Sequence, residues 1–182
     1  MRGEPLGTDN GLWTTRAQYA LAKKSESMEE LHDKQKADRT SLGVFRPRRV
    51  NDLLIAPDSP DWKPSFKAKL QQQRLWDDRR ATRQPPRKMP WKFQYDFECE
   101  GNRCKGHKMM IEDWEVGALY WNAVEQGATP DEAARQVKHK FLEELCSPQR
   151  DTHFFIGTVL EFGTWVIVGV FWPKKLSQPR LF

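Results

Sequence analysis

Trp91 to Glu115 reads WKFQYDFECEGNRCKGHKMMIEDWE, and this stretch decides the fold. Trp91, Phe93, Tyr95, Phe97 and Cys99 alternate with Lys92, Gln94, Asp96 and Glu98. An apolar residue at every second position marks a strand with one buried face. Gly101-Asn102 supplies a turn, and Lys108 to Ile111 returns as a short second strand. Asp113 is placed to cap a helix from Trp114 to Gln126, with Gly127 just past its end.

Downstream, Thr129-Pro130-Asp131-Glu132 opens a second helix: a capping hydroxyl, proline at the first helical position and glutamate at the third. Ala134, Val137, Phe141 and Leu145 form its apolar stripe, and Ser147-Pro148 ends it. His153 to Leu160 and Trp165 to Trp172 then read as a hairpin around Gly163. WVIVGVFW is apolar on both faces, as in a central strand covered on both sides. The order ββ-αα-ββ predicts an α+β domain, an antiparallel sheet of about four strands with two helices packed on it.

Upstream the pattern thins. Residues 1–60 form a polar N-terminal region, expected to be partly disordered, with turn signals at Gly7, Asn10-Gly11 and Ser41 to Gly43. Helices are predicted over Thr15 to Lys24 and from Ser27, where Glu30 three residues on suggests a capping box. Leu31 is the second helix's only clear apolar anchor, which limits what it can pack against. Val50 to Ile55 reads as a short strand. Residues 61–90 hold a basic helix from Ser65 to Trp76 and a linker in which Pro85-Pro86 sits among arginines. The α+β domain spans 91–175, followed by a tail at 176–182. Five of the eight tryptophans lie from position 91 onward, which places the core in the second half.

Three cysteines are too few for a secreted disulfide framework, and no apolar run approaches the ~20 residues of a spanning helix. The expectation is a cytoplasmic protein with no membrane partner. No G-x-S-x-G, Gly-rich phosphate loop or H-E-x-x-H occurs.

Cys99, Cys104 and His107 fall as C-x4-C-x2-H. Zinc takes such thiolate and imidazole ligands tetrahedrally, and a structural role is the expectation. Three ligands leave one position open. His153 is the preferred fourth, because a hairpin strand returning beside Trp91–Cys99 would bring it close. Cys146, His139, Asp113 and Glu115 compete with it. A metal-dependent hydrolase or nuclease using His107, Asp113 and Glu115 is the alternative reading. Against it, Asp113 is explained as a helix cap and Glu115 as a first-turn acid that suits the helix dipole.

The net charge of +5 is unevenly spread: Lys63 to Lys92 carries ten basic residues and two acidic ones. Arg74, Arg79, Arg80, Arg83, Arg87 and Lys88 in this stripe are candidates for phosphate contacts, with Trp62, Phe66, Trp76 and Trp91 available to stack on bases. The leading functional reading is therefore a zinc-stabilised binding module associated with nucleic acid. A protein-interaction adaptor that uses the exposed aromatics is a further alternative.

Several short motifs together resemble a family of uncharacterised bacterial proteins. They are Glu4-Pro5-Leu6-Gly7-Thr8, Thr40 to Gly43 before Arg46-Pro47, Pro90 to Cys99, the C-x4-C-x2-H followed by Asp113-Trp114-Glu115, His153-Phe154-Phe155-Ile156-Gly157-Thr158, and Trp165 to Pro173. The resemblance spans nearly the whole chain. It implies a small β-rich domain in front of Met1, so that the present sequence would be the C-terminal portion of a longer protein. It implies no activity.

Overall fold

The computed structural model describes residues 12–75, 87–101, 104–159 and 163–175. Five helices and six strands are described within them: α1 (Leu12–Ala20), α2 (Met28–Asp38), β1 (Leu42–Phe45), β2 (Arg49–Pro57), α3 (Pro64–Leu75), β3 (Trp91–Glu98), β4 (His107–Met110), α4 (Trp114–Glu125), α5 (Pro130–Lys138), β5 (His153–Val159) and β6 (Thr164–Phe171). A π-helical turn, His139–Glu144, continues α5.

The fold is α+β, but the strands form two sheets of three rather than one of four. All the pairings are antiparallel, in the orders β2-β3-β4 and β1-β5-β6. The two additional strands come from the polar first third of the chain. β1 and β2 are separated only by Arg46-Pro47-Arg48. Proline has no amide to give a ladder, so the chain breaks there and changes sheets. Val44 lies opposite Phe155, and Leu53 lies opposite Tyr95.

The sheets face each other over one core. Phe154 of β5 stacks on Tyr95 at 4.7 Å between ring centroids and meets Phe97 at 5.4 Å; Phe45 of β1 lies 5.5 Å from Phe97. Burying each such ring contributes roughly 1.5–3 kcal/mol. At one side the sheets are stitched together by the segment after β4. Ile111 donates its amide to Phe93 of β3, and Glu112 donates to Ile167 of β6 at 2.7 Å. β6 is thus at the end of its sheet and β5 is central, the reverse of what the apolarity of WVIVGVFW suggested.

The helix signals correspond to the expected chemistry. Asp113 caps α4 by accepting from the amide of Glu115 at 2.9 Å. Thr129 and Glu132 close a reciprocal capping box at the start of α5. Lys138, in the last turn of α5, pairs with Asp52 of β2 at 2.7 Å.

α2 packs more deeply than its composition predicts. Ser27 accepts from the amide of Glu30, but the Glu30 carboxylate goes to Glu26, so only half of the expected box forms. Met28 joins Leu31 in the core, each 1% exposed. Further along, Gln35 accepts from the indole N–H of Trp165 at 3.0 Å, which ties α2 to β6.

Candidate metal centre

β3 ends where the two sulfur donors begin. Its buried face carries Phe93, Tyr95 and Phe97, and the same alternation turns Cys99 inward to 1% exposure. The chain reverses between β3 and β4, and Gly106, just before β4, has a φ of 85° that favours a residue without Cβ. β4 then opens on His107, which pairs with Phe97 and stacks on its ring at 5.1 Å. The turn thus folds Cys99, Cys104 and His107 together, with one donor atom from each within 4.8 Å of the others.

His107 Nε2 lies 3.3 Å from the Cys99 sulfur and 3.3 Å from the Cys104 sulfur. An imidazole nitrogen has one lone pair or one proton there, enough for one good hydrogen bond. Equal approach to two sulfurs is the arrangement that a shared ion would require. For tetrahedral zinc with ordinary Zn–S and Zn–N bonds the N···S edge is about 3.5 Å. The donor chemistry and the spacing both fit zinc.

The surroundings favour thiolate at Cys104 and oppose it at Cys99. The Cys104 sulfur accepts from the amide of Cys99 at 3.3 Å, and the nearby backbone amides of Met28 and Gly101 at Cys99 and of Gly106 at Cys104 act in favour of the charged sulfur. Amides aimed at sulfur stabilise its anionic form, and Met28 is the first residue of α2, where the helix dipole adds to the effect. Burial pushes the Cys99 thiol up, and the adjoining sulfur reinforces this. Burial acts the same way on Cys104, but its amide donors and Cys99 outweigh it, so that thiol lies below its ordinary value. Burial, aided by His32, lowers His107 and keeps its imidazole neutral, the form that binds metal.

His153 stands apart from this group. β3 is flanked by β2 and β4, and the strand that carries His153 belongs to the other sheet. The imidazole is buried, with Nδ1 donating to the carbonyl of Asp151 at 2.9 Å. Cys146 lies 3.7 Å from the Tyr95 hydroxyl and 3.3 Å from the Phe141 carbonyl oxygen, and burial raises its thiol to about 11. His139 is near Glu143 and Glu144. Asp113 and Glu115 lie beyond the far end of β4 from His107 and are not in its donor group. Burial raises both carboxyls.

The basic stripe is partly spent within the protein. Arg87 pairs with Glu125 at 2.7 Å and lies over the Trp121 ring at 3.8 Å. Lys88 is held by Asp58 at 2.7 Å, a contact that draws the Asp58 carboxyl down to about 2. Trp62 and Phe66 pack on each other, with centroids 4.7 Å apart. Arg79, Arg80, Arg83 and Trp76 lie outside the described residues, as does the side chain of Arg74. Among the described residues no helix is long and apolar enough to cross a membrane.

A family model described as Domain of unknown function (DUF8757) matches residues 24–182. The chain belongs to this family. The DUF8757 match begins just before α2 and takes in both sheets and all three donors. Its description assigns no activity, which agrees at that level with the family resemblance read from the motifs. No curated protein and no solved structure matches the chain.

The contribution of α2 to the site was missed in the sequence. Met28 and Glu29 adjoin the donor turn, although four other elements, β1, β2, α3 and β3, intervene in the sequence. Nothing in the local pattern around Ser27 points to a sulfur so far along the chain.

Proposed function

We propose that the chain is a zinc-stabilised binding module in which the metal serves the fold, held by Cys99, Cys104 and His107. The observation that carries this reading is the equal 3.3 Å approach of His107 Nε2 to both sulfurs. The four amides around those sulfurs support it. Ligands drawn from one tight turn, beside a buried strand face, suit a staple that fixes that turn. Three free thiols suit a reducing, cytoplasmic setting.

The partner in this reading is nucleic acid, met through the basic stripe. Since Arg87 and Lys88 are paired internally, phosphate contact falls to Arg74, Arg79, Arg80 and Arg83. Titration of the zinc-loaded protein into fluorescent single-stranded and duplex oligonucleotides, at several salt concentrations, tests this. Replacing Arg79, Arg80 and Arg83 together by Ala weakens binding and flattens its salt dependence, while Arg87→Ala leaves both unchanged. Binding that is indifferent to the triple substitution would exclude this interface.

A further inference from the structure

A closed structural zinc site takes four ligands, and the β3–β4 turn supplies three. Building on the zinc reading above, we propose that His32 of α2 is the fourth, so that the metal staples α2 to the turn and completes a Cys2His2 set.

α2 is already packed against the turn at its first residue, where Met28 shares the buried core with Cys99. The Glu29 carboxylate lies directly over Gly101, so close that a Cβ at Gly101 would collide with it. His32 follows Met28 by four residues and therefore stands above it on the same helix face. Helical side chains lean towards the helix N-terminus, which directs the imidazole back towards Cys99.

His32 also follows Glu29 by three residues, which puts it on the side of α2 that meets the turn. Its ring is exposed, 6.2 Å from that of Trp165 and outside the donor group as it stands, so binding the metal requires the side chain to turn inward. The chemistry favours it over Glu29. With two thiolates, two neutral imidazoles balance the charge of Zn²⁺; a carboxylate would leave a net negative charge at a half-buried site. Each other candidate has its own partner: His153 in the opposite sheet, Cys146 against Tyr95 and Phe141, His139 at Glu143 and Glu144, and Asp113 on its helix.

The test compares the full chain with its His32→Ala, Glu29→Gln and Cys99→Ser variants. The readouts are zinc affinity by competition with a chromophoric chelator, and the visible spectrum of the Co²⁺-loaded protein. Loss of outer-sphere partners lowers metal affinity by about 10–100-fold, so His32→Ala, which removes a ligand, should lower it by about 100-fold or more. It should also shift the cobalt d–d bands, while Glu29→Gln changes neither. The metal-free forms of wild type and His32→Ala should melt together, because His32 is exposed and only the metal draws it in. Wild-type affinity and spectrum in His32→Ala would overturn the assignment, as would a loss seen only in Glu29→Gln. If Cys99→Ser itself kept wild-type affinity, the zinc reading beneath the proposal would fall instead.

Discussion

Tyr95 donates its hydroxyl to the carbonyl oxygen of Phe141 at 2.6 Å, joining the middle of β3 to the π-helical turn after α5. The π turn makes that carbonyl available. Leu145 donates to Lys140 and Cys146 to Leu142, so the helix's own amides pass Phe141 by. A single π turn inside a helix often serves such a purpose. Tyr95→Phe should lower stability by about 1–2 kcal/mol, read from the shift in a urea midpoint. Zinc content should be unchanged, since Tyr95 is not one of the donors and its hydroxyl is engaged at Phe141. An unaffected midpoint would mean that the Cys146 thiol, 3.3 Å from the same oxygen, takes over the bond.

Gly43 lies against the Leu31 side chain so closely that a Cβ there would clash with a methyl group. Leu31 is fully buried and has little room to retreat. Gly43→Ala should therefore force α2 away from β1 and cost about 1–3 kcal/mol in the same urea titration. Equal stability of the two proteins would show that Leu31 repacks freely.

That contact also explains what the sequence concealed. Ser41 to Gly43 reads as a turn, yet Gly43 belongs to a strand, and its missing side chain makes room for a helix. Close approach and turn formation select the same residue, and only the three-dimensional partner distinguishes them. The polar content of residues 1–60 likewise suggested weak packing, whereas β1 and β2 are edge strands that need few apolar residues. Their partners β5 and β3 lie far along the chain, and local patterning carries no record of such pairings. By contrast, the alternation of Trp91 to Cys99, the Asp113 cap and the Thr129–Glu132 box are local chemistry, and each was legible. So was the C-x4-C-x2-H turn, because neighbours along the chain supply all three of its donors. The place of His153 was not legible, since it depends on which sheet β5 joins.

His153 should make stability pH-dependent. Burial lowers its imidazole from the ordinary 6.5, while Asp151 acts weakly in the opposite sense. Above pH ~6.5 the ring is neutral in both folded and unfolded chains, and its contribution is constant. As pH falls below that value the unfolded chain takes up the proton first, so stability drops until the folded-state value is passed. Metal-free wild type should therefore lose stability between roughly pH 7 and 5 more steeply than metal-free His153→Gln, as measured by thermal melts across that range. Parallel curves would show that the buried imidazole titrates normally.

The central claim is that Cys99, Cys104 and His107 hold a structural zinc ion. It is tested most directly by elemental analysis of the purified chain, joined to thermal melts with and without a strong chelator, for wild type and Cys99→Ser. The expected result is close to one zinc per wild-type chain, a melting temperature that falls sharply on chelation and recovers with added zinc, and a variant that is zinc-poor and insensitive to chelator. A wild-type chain that is free of zinc when grown and purified with the metal present, and melts at the same temperature with or without chelator, would contradict it.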